Sequence, residues 1–160
     1  MSHVRPVQNK VHAWVVGSTV LGLSLGAPIE AYATLGGNVA SILDNEQHLG
    51  AVRQVRPLAK GERHDLVLPS GTVVHEYVAP GGAVYALTWR GPRMPDMREL
   101  FGAYFAELAR RDIRTSSGHH RLTIVGPDFM VRSSGHPRSF EGRAWVPSLV
   151  PSGISPGALE

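Results

Sequence analysis

Residues 72–90 read Thr72-Val-Val-His-Glu-Tyr-Val78, Ala79-Pro-Gly-Gly82, Ala83-Val-Tyr-Ala-Leu-Thr-Trp-Arg90. Two runs rich in β-branched and aromatic residues flank a Pro-Gly-Gly turn, which predicts a hairpin, and Ser70-Gly71 predicts another turn just before it. Register then decides what each face shows. Val73, His75 and Tyr77 share one side of the first strand, and Tyr85, Leu87 and Trp89 share one side of the second. A three-residue loop containing glycine joins those sets on one face and leaves Glu76, Thr88 and Arg90 on the other. A two- or four-residue loop places Glu76 among Tyr85, Leu87 and Trp89. Burying a carboxylate beside aromatics without a partner is costly. The expectation is therefore the first register, with Glu76 an outward carboxylate near Arg90 and His75 a partly buried histidine bonded to a neighbour. The other register would leave Trp89 and Tyr85 to form an exposed aromatic patch for a partner.

Outward from the hairpin, the chain alternates short apolar runs with turn residues. Residues 39–49 form a short helix ended by Gly50, and residues 52–58 and 64–68 read as strands. After the hairpin, Pro95-Asp96 opens the main amphipathic helix, about 96–111. Asp96 and Glu99 have capping-box spacing, and Met97, Leu100, Phe101, Tyr104, Phe105 and Leu108 form its apolar stripe. Arg110 and Arg111 sit in its last turn, where the helix dipole favours cations. Residues 121–125, 129–132 and 139–146 look extended. The fold class is α+β: one small domain over 34–150, a mostly antiparallel sheet packed by that helix, and an extended tail over 151–160.

The first 33 residues read as an address rather than as fold. Arg5 and Lys10 precede an uncharged run over 13–27, then Pro28 and Ala31-Tyr32-Ala33, the order of a secretory signal peptide. That run falls short of the roughly 20 residues needed to span a bilayer. Cleavage after Ala33 leaves 127 of the 160 residues, with no stable membrane anchor. The formal net charge of +3 falls to near +2 on cleavage, too weak to signal nucleic acid as a partner. An anionic surface polymer stays open as a ligand. With no cysteine in the chain, disulfide scaffolds, thiolate catalysis, Cys-ligated zinc, iron–sulfur clusters and lipoprotein acylation are excluded.

Chemistry-bearing motifs are sparse. There is no G-x-S-x-G elbow and no Ser-x-x-Lys pair, and Ser70 reads as a turn residue. Two near-copies, Arg114-Thr-Ser-Ser-Gly-His119 and Arg132-Ser-Ser-Gly-His136, bring together His119, His120 and His136, with Asp128 as a carboxylate to complete a metal site. Without H-E-x-x-H or comparable spacing, the plainer reading is turn chemistry with solvated histidines. His75-Glu76 and His64-Asp65 are adjacent in strands, so each pair points to opposite faces and does not act together on one substrate. Gly36-Gly37 and Gly81-Gly82 lack phosphate-loop spacing. Arg53, Arg56, Lys60, Arg63 and His64 read as a basic edge that blocks aggregation. These readings assign no catalytic, cofactor-binding or metal residues.

Three segments in this order do carry a resemblance: Ser70 through Pro92, Pro95-Asp-Met-Arg-Glu-Leu-Phe-Gly-Ala-Tyr-Phe105, and Gly142-Arg-Ala-Trp-Val-Pro-Ser-Leu-Val-Pro-Ser-Gly-Ile154. Behind a signal segment and Leu35-Gly-Gly37, they resemble the bacterial family called domain of unknown function 2844. The resemblance implies an exported, periplasmic or secreted protein, and carries no established activity. The resulting expectation is a non-catalytic domain that binds a protein partner or an envelope component. The alternative is a small metal-dependent or hydrolytic enzyme using His119, His120 and His136. A third reading is a structural subunit of a surface assembly.

Overall fold

The computed structural model describes residues 34–110 and 121–160. Its elements are α1 (Val39–His48), β1 (Val52–Pro57), β2 (Glu62–Val67), β3 (Val73–Val78), β4 (Val84–Gly91), α2 (Met97–Phe101), α3 (Ala103–Arg110), β5 (Arg121–Val125), β6 (Met130–His136) and β7 (Ser139–Trp145). The α+β class holds. The seven strands form one antiparallel sheet in the order β1-β2-β3-β4-β7-β6-β5. Short turns join neighbours within each half. The connection through α2 and α3 then carries the chain to the far edge, so β7 returns to pair with β4.

The β3–β4 hairpin has the loop the sequence predicts and the opposite face assignment. Gly82 N–H donates to the Ala79 carbonyl and Ala79 N–H to the Ala83 carbonyl, both at 2.8 Å, so Pro80, Gly81 and Gly82 make the turn. Gly82 closes it at φ +86, a conformation that needs glycine. Val78 pairs with Val84, but Tyr77 pairs with Ala86, and the bulge leaves Tyr85 extra. A one-residue shift turns every later side chain to the other face. Glu76 therefore stands opposite Leu87, beside Val74 and Trp89, and is wholly buried instead of pointing outward. Arg90 meets Glu141 at 3.4 Å instead of Glu76. Trp89 and Tyr85 are both buried, on opposite faces, so they form no exposed aromatic patch.

The inner face carries Leu66, Val74, Leu87, Trp89, Ala144, Val131 and Ile124, covered by Ile42 of α1 and by Leu100, Phe101 and Leu108. α1 is fixed at its start by a reciprocal cap: Asn38 Oδ1 accepts from Ala40 N–H at 2.8 Å, and Ser41 Oγ accepts from Asn38 N–H at 3.1 Å. The single main helix predicted over 96–111 is instead two pieces. Gly102 adopts φ +45 and ends α2 after Phe101, and α3 restarts at Ala103. The break still seats Phe101 edge-on against Trp89, with ring centroids 5.9 Å apart.

The outer face is divided. Beyond Trp145 the tail makes two 3₁₀ turns, Pro147–Leu149 and Pro156–Ala158, and lays Leu149, Val150, Ile154 and Leu159 against Tyr77, Tyr85, Ala86 and Trp145. The Tyr77 hydroxyl donates to the Glu160 backbone carbonyl, and Lys60 donates to that of Ser152. The rest of this face is polar.

Candidate functional site

Strand pairing places one polar row across all seven strands of the outer face: Gln54, Asp65, His75, Thr88, Arg143, Arg132 and Thr123. Its left half is a closed ion network. His75 Nδ1 lies 2.6 Å from Asp65 Oδ1, and the same carboxylate meets Arg63 Nε at 2.7 Å and Arg56 Nε at 2.8 Å. Burial alone pushes the Asp65 carboxyl up. Hydrogen bonds from Arg63 and His75, and their charges, overcome this and hold it below its ordinary value. The edge strand is neutralised too, since Arg53 Nε lies 2.7 Å from Glu46. The predicted basic edge is therefore mostly paired charge.

The right half differs. A cavity of about 770 Å³ opens over β4, β7, β6 and β5, lined by His75, Thr88, Arg90, Arg121, Arg132 and Arg143 among others. Each of its four arginines comes from a different, neighbouring strand. Two acids share this lining, Glu141 of β7 and Glu160 of the tail; Glu141 pairs with Arg90 and accepts from Ser134 Oγ at 3.1 Å. Arg143 donates to the Gly157 backbone carbonyl, and Arg132 lies 6.0 Å from the Trp145 ring centroid. Among the described residues, neither Arg132 nor Arg121 has a carboxylate within salt-bridge distance. Arg132 and Arg143 stand directly opposite each other, a like-charge cross-strand pair that costs the sheet stability. Thr88 Oγ1, buried at the cavity wall, has no hydrogen-bond partner among the described residues.

A second cluster of polar groups lies on the inner face, away from this cavity. Asn45 Nδ2 donates to Thr34 Oγ1 at 2.9 Å, and Thr34 Oγ1 donates to the Leu100 carbonyl at 3.2 Å. Both Glu76 carboxylate oxygens lack a hydrogen-bond partner among the described residues. Burial pushes Glu76 up to about 8, with only partial relief from the nearby Thr34 hydroxyl and the Arg53 charge. Glu76 is thus a protonated core acid at neutral pH. It belongs to the packing and not to the cavity.

His119 and His120 lie outside the described residues. His136 is exposed at the end of β6, and Asp128 is exposed in the turn before it. Among the described residues, no group of three or more His, Asp or Glu side chains is placed to hold a metal ion. Ser70 Oγ accepts from Thr72 N–H at 3.3 Å, as a turn residue does. The second Ser-Ser-Gly copy is not a turn: Ser133, Ser134 and Gly135 are strand residues of β6, and the two serines line the cavity. Sequence reasoning missed both the Asp65–His75 pair and the arginine arc. The adjacent pairs His64-Asp65 and His75-Glu76 do straddle the sheet, but the tight turn at Leu68–Thr72 sets Asp65 opposite His75 across strands. That turn, closed by Gly71 N–H to the Leu68 carbonyl at 2.9 Å, was the available signal.

The family described as protein of unknown function (DUF2844) matches residues 31–159 of the chain. No curated protein matches it, and no solved structure does.

Proposed function

The chain belongs to the DUF2844 family, and from that premise we propose that it is an exported, non-catalytic domain that binds an anionic component of the cell envelope on the outer face of its sheet. The observation that carries this reading is the arc of Arg90, Arg143, Arg132 and Arg121 on four neighbouring strands, four guanidinium groups against the two acidic residues of the lining, Glu141 and Glu160. Guanidinium groups suit carboxylate and phosphate oxygens because their paired N–H groups match two oxygens at once. Arg90 pairs with Glu141, but unlike the arginines of β1 and β2, Arg121, Arg132 and Arg143 have no carboxylate within salt-bridge distance among the described residues. Export is supported by the order of charge, apolar run and small residues over 1–33. Among the described residues, no helix is long and apolar enough to cross a membrane.

Vesicle cosedimentation tests the binding. The domain is expected to pellet with phosphatidylglycerol-containing vesicles and not with pure phosphatidylcholine vesicles, with binding that weakens as salt rises. Arg121→Glu with Arg132→Glu is expected to weaken that binding at least about tenfold, given roughly 1 kcal/mol for each basic residue near an anionic surface and the added repulsion of each reversed charge. Equal sedimentation with both vesicle types would overturn the reading. Fusing residues 1–33 to a reporter active only outside the cytoplasm tests export separately.

A further inference from the structure

Resting on the anionic-ligand reading above, we infer that the centre of the cavity is a site for a phosphomonoester group, built by Arg132, Arg143, Thr88 and His75 in one cross-strand row.

Four independent features converge on it. First, Arg132 and Arg143 are paired directly across β6 and β7, and neither has a carboxylate within salt-bridge distance among the described residues. An isolated sheet gains nothing from that juxtaposition, whereas an anion held between two guanidinium forks turns the repulsion into bidentate bonding. Second, Thr88 stands in the same row, opposite Arg143 on one side and His75 on the other. Thr88 is part of the cavity wall, and its hydroxyl, buried within that wall, has no partner among the described residues, so a ligand that opens the wall enough to bond it removes a desolvation cost the fold otherwise carries. Third, Arg143 already bonds one carbonyl oxygen, that of Gly157 in the tail. A ligand oxygen seated there would replace a neutral acceptor with a charged one.

The fourth feature distinguishes the class of anion. Asp65 accepts at Nδ1 of His75 and thereby fixes which nitrogen faces the cavity. With Nδ1 committed to the carboxylate, Nε2 is an acceptor when the ring is neutral and a donor when it is charged. A phosphomonoester has its second ionisation near about 6, so it can meet either state: its own O–H donates to the neutral ring, or its oxygen accepts from the charged one. Carboxylate and sulfate carry no proton to give at neutral pH. A carboxylate also differs in shape, presenting two oxygens where a phosphate presents three to groups arriving from β3, β4, β6 and β7; sulfate shares the tetrahedral shape and differs in having no proton to give. The phosphate could sit on a soluble ester or on a lipid headgroup, since the chemistry of recognition is the same.

Isothermal titration of the intact domain with glycerol 3-phosphate, sulfate and acetate tests the site. Glycerol 3-phosphate is expected to bind at least about tenfold more tightly than sulfate or acetate. Thr88→Val, which keeps the side-chain shape, is expected to weaken glycerol 3-phosphate several-fold while Thr88→Ser restores it, and Arg132→Gln to weaken it about tenfold. An unchanged melting temperature in each variant shows that the fold is intact. Equal affinity for all three anions, or no effect of Thr88→Val in a folded domain, would overturn the inference. If phosphatidylglycerol vesicles still bind in that event, only the phosphomonoester site fails; if they do not, the anionic-ligand reading fails with it. Phosphatidic acid vesicles, tighter than phosphatidylglycerol vesicles beyond their charge difference, would place the phosphate on a lipid; no such preference, with glycerol 3-phosphate still bound, would place it on a soluble ester.

Discussion

The two faces of this sheet are written by the same strands, one residue out of step, and they follow different rules. On the inner face, Trp89, Leu87, Val131 and Ala144 are 2% exposed or less, packed beneath the helices. On the outer face, the tail covers only the part around Tyr77, Tyr85 and Trp145, and arginines stand over the remainder. The inner face holds the larger hydrophobic cluster, and the tail buries a smaller one on the outer face. Arg143 holds the tail at Gly157 and Arg90 pairs with Glu141, but Arg121 and Arg132 are expected to contribute little to folding, and the facing Arg132–Arg143 pair to oppose it, which is why they carry the functional reading.

The comparison breaks hardest where the inner face has no slack. Gly142 stands directly opposite Trp89, and a Cβ added to it would lie 2.2 Å from Trp89 Cζ2. Gly142→Ala is expected to cost about 1–3 kcal/mol by overpacking, and Trp89→Ala about 3–5 kcal/mol by the cavity it leaves. Because each change relieves the other, the double variant should be less destabilised than the sum of the two. Urea unfolding measures all three, and strict additivity would show that Gly142 is not there to seat the indole.

Glu76 is the inner face's exception, and pH sharpens what it means. Its carboxyl, pushed up to about 8 in the fold, has an ordinary value of 4.5 when the chain is open. The folded state therefore holds the proton more tightly. Its contribution is fully present below about 4.5 and is lost as pH rises through about 8. Between these limits the domain should lose on the order of a few kcal/mol from this group. Glu76→Gln, which stays neutral, should flatten the unfolding free energy between pH 5 and 9 relative to the native sequence. Parallel curves for the two proteins would mean that Glu76 finds a partner or water in solution.

Glu76 also shows where the sequence stops being legible. The alternation of 72–90, the turn at Pro80–Gly82 and the strands on either side were readable because local propensity and turn chemistry set them. The bulge at Tyr85 was not, because no local rule favours it; it is chosen by what packs on both faces at once, with Tyr85 and Ala86 against the tail and Leu87 and Trp89 against the helices. Burying a carboxylate is costly, but packing of Trp89 and Leu87 outweighs that cost, and protonation lowers it. Gly102 was legible as a helix-weakening residue, yet the unbroken apolar stripe from Met97 to Leu108 masked it. The candidate site was less visible than the fold. Its residues are spread from Asp65 to Arg143, and only strand order brings them into one row.

The smallest expected effect is the one that separates the faces most cleanly. Arg132→Ser removes one member of the Arg132–Arg143 pair and its stacking on Trp145, two opposed terms of comparable size. The net change in unfolding free energy should fall within about 0.5 kcal/mol of zero, as for an ordinary surface substitution. Arg121 has no carboxylate within salt-bridge distance among the described residues, so Arg121→Ser should do the same. Sedimentation with phosphatidylglycerol vesicles should nonetheless fall several-fold for each, since every basic residue near an anionic surface contributes on the order of 1 kcal/mol. Neutral stability with lost binding would show that the outer arginines answer to a ligand. A stability loss like that of Trp89→Ala, with binding unchanged, would make them structural and erase the distinction between the two faces.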